Sequence, residues 1–268
     1  PQQPQVYDIV IANGRVLDPE SRLDGVRHIG ILENRIRAVS EAPLQGRTVL
    51  DATGMVVAPG VIDLHAHGQT PENYRLQALD GVTTALELEV GTEDPDAWYA
   101  ARDAKALINY GASVGHIRVR MVVMGDSGRG LLPTGPGASR IATPDQIERM
   151  KQLLERGLQR GAVAVGFGPT YTPAATRWEI LEMFRVAARY GASAHIHVRG
   201  GADSLIGFEE AIAAAAVSGA PLHIVHLNSV STGATPRTLQ LVAEAQARRL
   251  DVTAEAYPYT AGMTEIQS

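Results

Sequence analysis

The stretch Val61–Gly68, VIDLHAHG, is a short apolar run that ends in two histidines one residue apart. Side chains at positions i and i+2 of a β-strand point to the same face, so His65 and His67 would project together from the carboxyl end of a strand. Two neutral imidazoles held side by side suit a transition metal, zinc first. The pattern predicts a metal site at a strand end, although an ordinary pair of histidines also fits it.

Composition narrows the class of protein. The chain has 268 residues, of which 45% are hydrophobic, enough for one large domain with a small companion. A net charge of −5 gives no basic surface for nucleic acid, and no apolar run reaches the roughly 18 residues of a membrane helix.

The chain opens with PQQPQ instead of methionine, which a cleaved export signal would explain, so a cytoplasmic and a periplasmic location both stay open.

Residues 1–57 are expected to form a small β-sandwich domain, because short apolar runs alternate there with turn residues. Asn13-Gly14 stands between two such runs and predicts a hairpin, and Glu33-Asn34 predicts a second one. The sandwich would need strands that return from the C-terminal side of the chain to complete it. An exposed edge of this domain would also allow self-association into a homo-oligomer.

From residue 58 onward, strand-like runs alternate with helix-like segments. The runs lie at about 60–67, 82–90, 117–124, 162–167, 192–198, 222–227 and 251–256. Thr143, Thr176 and Thr235 are predicted N-caps of three of the helices. This alternation predicts an α/β fold with a parallel sheet, a (β/α)8 TIM-type barrel over residues 58–268 with seven units present and the eighth missing. Active sites of such barrels lie at the carboxyl ends of the strands.

Two more histidine pairs fall at predicted strand ends. His195 and His197 end the fifth strand at positions i and i+2, and this spacing does not distinguish them. His223 and His226 end the sixth strand three residues apart, so at most one is expected to face the barrel interior. His226 lies nearer the carboxyl end and is the predicted ligand, whereas His223 is expected to pack.

A hydrolytic metal centre also needs an anionic ligand. The chain has no cysteine, and its two lysines, Lys105 and Lys151, both lie in helix-like segments. The second strand carries Glu87 and Glu89 on one face of an apolar run, where burial without a cation would be costly. Glu89, nearer the carboxyl end, is the predicted bridging ligand, and Glu87 is the alternative.

Several segments resemble a known family. DATGMVVAPGVIDLHAH, at residues 51–67, resembles the start of the barrel in the metal-dependent amidohydrolase superfamily. GVTTALELEVG, GAVAVGFGPTYTP, HVRGG, HLNS and YPYTAG resemble the N-acyl-D-amino-acid deacylases, or D-aminoacylases, within it. The resemblance runs from about residue 6 to residue 262 and implies zinc-dependent hydrolysis of the amide bond of N-acyl-D-amino acids, releasing a carboxylate and a D-amino acid.

The resemblance also implies roles for the histidines. His65 and His67 would serve one metal position, and His197 and His226 the other, which is the tightly held one, with one or two zinc ions per subunit. The HVR and HLN matches favour His197 over His195 and His226 over His223. The family's second-strand ligand is a cysteine near this point of the chain, so Glu89 is inferred as its substitute.

Four residues are candidate substrate contacts. Tyr171 matches a tyrosine of the family pattern that lines the pocket. Tyr257 and Tyr259 end the seventh strand and could donate to an oxyanion or to the substrate carboxylate. Arg199, two residues after His197, could bind a carboxylate.

No residue of this sequence is nominated as the catalytic base, because the family's base is an aspartate that closes the eighth strand, beyond Ser268. We therefore expect either a further C-terminal segment, a complementing chain, or a catalytically inactive metal-binding fragment or subunit. A cyclic-amide hydrolase of the dihydroorotase or hydantoinase type is the other alternative. Those enzymes commonly use a carboxylated lysine, and the helical positions of Lys105 and Lys151 argue against it.

Overall fold

The computed structural model describes residues 5–200 and 205–261. It divides into two compact units, Pro1–Val61 and Ile62–Ser268. The strands are β1 (Val6–Asp18), β2 (Leu23–Leu32), β3 (Arg35–Ser40), β4 (Gln45–Asp51), β5 (Val56–Val57), β6 (Val61–Asp63), β7 (Val82–Thr92), β8 (Asn109–Gly115), β9 (Val165–Phe167), β10 (Ala194–Ile196), β11 (Leu222–Ile224) and β12 (Val252–Ala254). The helices are α1 (Pro71–Leu79), α2 (Pro95–Ala100), α3 (His116–Met124), α4 (Pro136–Ser139), α5 (Pro144–Gln159), α6 (Arg177–Arg189), α7 (Leu205–Ser218), α8 (Leu227–Ser231) and α9 (Thr235–Ala247). Within the described ranges, none of these helices is long and apolar enough to cross a membrane.

The first unit is a five-stranded sheet in the order β3-β2-β1-β4, in which β5 also pairs with β1. The predicted hairpin at Glu33-Asn34 is confirmed. Both residues have positive φ, and Leu32 pairs with Arg35 across the turn. Two successive left-handed residues give the turn a twist that matches the twist of the flanking strands.

The predicted hairpin at Asn13-Gly14 is wrong, because both residues lie inside the single strand β1. The pairing of β1 with β2 shifts register between Ile11 and Gly14, and Asn13 adopts a φ of 64°. This is a β-bulge, which uses the same left-handed conformation as a turn. Glycine is required next to it by close packing, since a Cβ on Gly14 would lie 2.5 Å from Cγ2 of Val57.

The second unit confirms the predicted α/β architecture. Its seven-stranded sheet has the order β12-β11-β10-β9-β8-β7-β6, and the strands from β7 to β12 pair in parallel with their neighbours. Helices connect successive strands, so the strand order follows the chain order. This is the arrangement of a TIM-type (β/α)8 barrel from its first strand, β6, to its seventh, β12. The carboxyl ends of β7 to β12 consequently lie at one edge of the sheet.

The position predicted for the third barrel strand, residues 117–124, is wrong. That segment is helix α3, and the strand is β8, which comes directly before it. The segment IRVRMVVM is rich in branched apolar residues and is therefore easily mistaken for a strand. The true strand, NYGASVG, contains glycine, alanine and serine because its neighbour β7 approaches closely. A Cβ on Gly115 would overlap the carbonyl oxygen of Val90.

Two of the three predicted helix starts are confirmed. The hydroxyl oxygens of Thr143 and Thr176 each accept a hydrogen bond from the backbone N–H three residues later, at the starts of α5 and α6. The N-cap predicted at Thr235 is wrong, because Ala234 occupies that position in α9. The Thr235 hydroxyl instead donates to the carbonyl of Thr232 in the preceding 3-10 turn.

The hydrophobic core of the second unit lies between the sheet and helices α3, α5, α6, α7 and α9. The Phe167 and Phe184 rings pack with their centroids 4.7 Å apart, joining β9 to α6. Each large apolar side chain buried in this way contributes about 1.5–3 kcal/mol. The core thus fixes the strands whose carboxyl ends carry the polar side chains described next.

Candidate metal centre

Five polar side chains converge at the carboxyl ends of β6, β7, β10 and β11. They form two groups of three, and within each group the potential ligand atoms lie within 4.8 Å of one another. The first group is His65, His67 and Glu89, and the second is Glu89, His197 and His226. Glu89 belongs to both, so the five side chains form one cluster with a shared carboxylate.

The two oxygens of Glu89 face different histidines. Its Oε2 lies 2.9 Å from Nε2 of His65 and 3.1 Å from Nε2 of His67, and these two nitrogens are 3.0 Å apart. Its Oε1 lies 2.7 Å from Nδ1 of His197 and 3.7 Å from Nε2 of His226. One carboxylate can therefore bridge two neighbouring positions, each with two imidazole nitrogens.

The cluster fits a transition metal such as zinc. The side chain of Glu89 is only 3% exposed, and no lysine or arginine of the described residues forms an ion pair with it. A buried carboxylate needs a compensating charge, which here comes either from protonated imidazoles or from a bound cation. Nitrogen and carboxylate ligands directed at a common point are the ligand set that zinc prefers.

The backbone of the sixth barrel strand explains why His226 reaches the cluster. Strand β11 ends at Ile224, and His226 has a left-handed backbone with φ of 33°. The expectation that at most one of His223 and His226 faces the interior is therefore wrong, because the alternation of a strand no longer applies after Ile224. His223 also points inward, where its Nε2 lies 3.3 Å from Oε2 of Glu255.

His195 and His223 form a separate buried pair beside the cluster. They occupy paired positions of β10 and β11, with ring centroids 4.7 Å apart. Each ring also forms a hydrogen bond with a hydroxyl, His195 with that of Ser193 at 3.0 Å and His223 with that of Thr253 at 2.8 Å. Burial, reinforced by His223, lowers the pKa of His195 to about 3. His197, and not His195, belongs to the group around Glu89.

Two further carboxylates contact the histidines of the first group. Glu255 Oε1 lies 2.5 Å from Nδ1 of His65, and Glu87 Oε2 lies 2.7 Å from Nδ1 of His67. Glu87, the alternative bridging ligand, thus stands behind His67, while Glu89 takes the bridging place. Glu255 was not found from the sequence, although its position directly after the seventh barrel strand follows the same strand-end rule as the histidines.

The histidines and Glu89 shift one another's pKa values. Burial acts to lower the pKa of His65 and of His67, but hydrogen bonds to their carboxylates outweigh it and raise the values to about 9 and about 10. Burial acts to raise the pKa of Glu89, yet hydrogen bonds from the surrounding histidines hold it well below the usual value. The cluster therefore attracts positive charge, as protons or as a metal cation.

The three predicted tyrosines differ in the contacts they make. The Tyr171 ring packs edge-on against that of His197, with centroids 4.9 Å apart. Tyr257 accepts a hydrogen bond at its carbonyl from the side chain of Asn228, and its ring is 6.2 Å from that of Tyr259. Tyr259 is 72% exposed. Tyr171 is thus in direct contact with a candidate metal ligand.

Arg199 is held by interactions within the protein. Its guanidinium donates two hydrogen bonds to the carboxylate of Glu210, at 2.8 and 2.9 Å. It also donates to the carbonyl oxygens of Pro173 and Ala175. Arg199 therefore fastens helix α7 to the segment after β9, and its role as a substrate contact stays a prediction.

Comparison with known proteins reveals clear relatives. A family model described as "Amidohydrolase family" matches residues 48–109. A D-aminoacylase of Alcaligenes xylosoxydans xylosoxydans is 28% identical, over 98% of this chain and 60% of its own length. The N-acyl-D-glutamate deacylase from Bordetella bronchiseptica, solved with zinc and a phosphonate inhibitor, superposes with a TM-score of 0.81 at 26% identity, over 95% of this chain and 59% of its own.

A D-aminoacylase structure concerned with that protein's binuclear metal centre superposes with a TM-score of 0.80 at 26% identity. It covers 96% of this chain and 59% of its own. The chain therefore spans about three fifths of the length of the relatives it matches.

Proposed function

We propose that this chain, which is similar to the amidohydrolase family and in particular to the D-aminoacylases, carries the metal centre of a zinc-dependent hydrolase of N-acyl-D-amino acids. The reaction breaks the linear amide bond and releases a carboxylate and a D-amino acid. The observation that carries the proposal is the buried carboxylate of Glu89, shared by two pairs of histidine nitrogens.

The chain's own residues would hold the metal and keep its ligands in place. His65, His67, Glu89, His197 and His226 are the proposed ligands. One or two zinc ions, when bound, would polarise the scissile carbonyl of the substrate and lower the pKa of a water molecule. None of the residues named here is proposed as the catalytic base.

Substrate positioning is proposed for residues around this cluster. Tyr171 has the strongest support, because its ring contacts His197 and so borders the cluster directly. Tyr257 and Tyr259 follow the seventh barrel strand and are proposed to contact the acyl or carboxylate groups. Arg199 has less support, since Glu210 and two carbonyls already accept its hydrogen bonds.

The test compares classes of amide with the purified protein that contains this chain. N-acetyl-D-amino acids, their L enantiomers, and dihydropyrimidine and hydantoin rings are offered in parallel, before and after EDTA and after added zinc. We expect hydrolysis of the D-configured linear amides, lost with EDTA and restored by zinc. Hydrolysis of the rings alone would favour a cyclic-amide hydrolase. Zinc binding without any chelator-sensitive turnover would identify a metal-binding subunit.

A further inference from the structure

We propose that a cavity beside the metal cluster binds the acyl group of the substrate and that Leu131 limits the length of the acyl chain that fits. Leu131 lies on residues 125–135, here called the α3–α4 loop, which Asp126 holds in shape as a positioning residue. The inference rests on the proposed function, because it names where one half of that substrate binds. A binding measurement distinguishes its failure from the failure of the proposed function.

The cavity lies at the same strand ends as the metal cluster and has a volume of about 310 Å³. Glu87, which lines it, places Oε2 2.7 Å from Nδ1 of the proposed ligand His67. Gly68, the residue after His67, and Leu131 line it as well. Its volume is near the lower limit of small-molecule sites, about 300–1,000 Å³. The cavity is thus separated from the cluster by one side chain and has room for a short group of a bound substrate.

The charges that line the cavity balance one another. Glu87 is already hydrogen-bonded to His67. The other charged side chains of the described lining are two guanidiniums and two carboxylates, those of Arg102, Arg118, Glu93 and Asp94. Arg118 donates two hydrogen bonds to Glu93, at 2.9 and 3.1 Å. The acyl half of an N-acyl amino acid is uncharged, whereas the other half carries a carboxylate, so a cavity with balanced charges suits the acyl half.

Leu131 and Trp98 supply apolar surface to the cavity. Leu131 is half-buried and packs against four buried apolar residues, Val90, Ile117, Met121 and Leu132. Tyr171, whose ring contacts that of His197, packs against the same four. Leu131 therefore lies where the α3–α4 loop meets the metal cluster, and its side chain is the part of the loop that an acyl chain in the cavity would contact.

Asp126 fastens the α3–α4 loop, because its buried carboxylate accepts four backbone hydrogen bonds. The donors are the N–H groups of Gly128 and Thr134 to Oδ1, at 2.9 and 3.4 Å, and of Gly135 and Gly137 to Oδ2, both at 2.8 Å. A Cβ on Gly137 would lie 2.9 Å from Oδ2 of Asp126, so the chain closes tightly around this carboxylate. The shape of the loop thus depends on one side chain outside the metal cluster.

Two further contacts fix the position of Leu131. Arg129 and Leu132 exchange backbone hydrogen bonds on either side of it, at 3.0 and 3.3 Å. Arg118, paired with Glu93 after β7, also donates to the carbonyl oxygen of Gly130 at 3.4 Å. A side chain held in this way is preorganised, and a wall of fixed position discriminates between ligands of different length.

The first experiment varies the size of residue 131 against the length of the acyl chain. The purified protein that contains this chain is assayed as wild type, Leu131→Ala and Leu131→Trp on N-acetyl-, N-butyryl- and N-hexanoyl-D-alanine. The ratio of kcat/KM for N-hexanoyl to N-acetyl should rise about 10-fold or more in Leu131→Ala and fall in Leu131→Trp, because one methylene in an apolar pocket changes kcat/KM by about 10–200-fold. Leu239→Ala, an exposed leucine on α9, is the control. The same ratio in all four proteins would overturn the inference.

The second experiment tests Asp126 as a positioning residue. Asp126→Ala should move the same ratio towards that of Leu131→Ala, with the zinc content of the wild type, and Asp126→Asn, which keeps one acceptor oxygen, should lie between. Asp103→Ala, an exposed carboxylate after α2, is the control and should keep the wild-type ratio. An equal loss of kcat/KM on all three substrates would show that Asp126 only stabilises the fold. Circular dichroism checks folding.

The third experiment measures binding without hydrolysis. Trp98 lines the cavity, whereas Trp178 lies on α6. The fluorescence change on mixing with N-hexanoyl-D-alanine should be lost in Trp98→Phe, kept in Trp178→Phe, and absent with D-alanine, which has no acyl group. A protein that shows this pattern but hydrolyses no N-acyl-D-amino acid would refute the proposed function alone. Hydrolysis with no change in Trp98 emission, and an unchanged ratio in Leu131→Ala, would refute the inference alone. A protein that neither binds nor hydrolyses would refute both.

Discussion

Two buried glutamates of the same barrel make opposite use of their charge. Glu179, on α6, is fully buried and bound by the Arg120 guanidinium at 2.6 and 2.8 Å and by His116 at 2.8 Å. Glu89 is almost as deeply buried, but its partners are four histidines and no arginine or lysine among the described residues. A fixed cation makes Glu179 a structural group, whereas Glu89 lies where an exchangeable cation can bind.

The largest effect should come from removing the fixed cation of Glu179. Arg120→Met would leave a buried carboxylate without its main partner, which costs about 3–5 kcal/mol of the free energy of unfolding. The carbonyls of Gly137 and Arg140, which also accept from this guanidinium, would lose a donor as well. Urea denaturation measures the loss. Arg149→Met, an exposed arginine on α5, is the control and should change stability by less than about 0.5 kcal/mol.

Zinc affinity of folded Arg120→Met should equal that of the wild type, because the arginine is not part of the cluster around Glu89. A variant as stable as the wild type would show that Glu179 does not depend on Arg120. Glu179 would then not be a group that requires a fixed cation for the stability of the fold.

Removing the charge of Glu89 should weaken zinc binding. Glu89→Gln keeps the shape of the side chain but cannot offer an anionic oxygen to both positions, so zinc affinity should fall by at least about 100-fold, more than for loss of an outer partner. Zinc content after dialysis and calorimetric titration measure it, with Glu182→Gln as the control. Two zinc ions bound at wild-type affinity in Glu89→Gln would show that Glu89 is not the shared ligand.

The pH dependence of stability tests whether Glu179 is held as a charged carboxylate in the folded protein. Burial acts to raise the pKa of Glu179, but His116 and Arg120 outweigh it and hold the pKa below its ordinary value of 4.5. A carboxyl with a depressed pKa stabilises the fold above its unfolded-state value, and this contribution is lost as the pH falls from about 4.5 through the folded-state value. Melting temperatures of wild type and Glu179→Gln should differ most above pH 5 and converge in acid. A constant difference down to pH 3 would contradict this.

The sequence predicted the cluster around Glu89 well, because its members lie in a strand or within a few residues of a strand's carboxyl end. His65 and His67 directly follow the first barrel strand, and Glu89 stands out as a charge within an apolar run. These rules hold wherever parallel strands end together at one edge of a sheet. The same reasoning failed at His223, where the strand ends early and the backbone turns left-handed at His226.

The pair of Arg120 and Glu179 could not be predicted in this way. The two residues are 59 positions apart, on the outer helices α3 and α6, and nothing in the local pattern of either marks it as buried. The segment that carries Arg120 was moreover predicted to be a strand, whose side chains alternate between two faces, whereas it is a helix. Partners on helices depend on how the helices pack, which the spacing within one segment does not contain.

The smallest expected effect comes from Thr176, the N-cap of the helix that carries Glu179. It occupies the first turn of α6, where its backbone N–H donates to the Thr176 hydroxyl at 3.1 Å. Thr176→Ala should cost about 1 kcal/mol, the usual value of an N-cap, and Thr176→Ser should restore most of it. Thermal unfolding measures both. Because the cap orients the helix turn that carries Glu179, combining Thr176→Ala with Arg120→Met should give a loss different from the sum of the two. Strict additivity would mean that the cap does not influence how Arg120 holds this carboxylate.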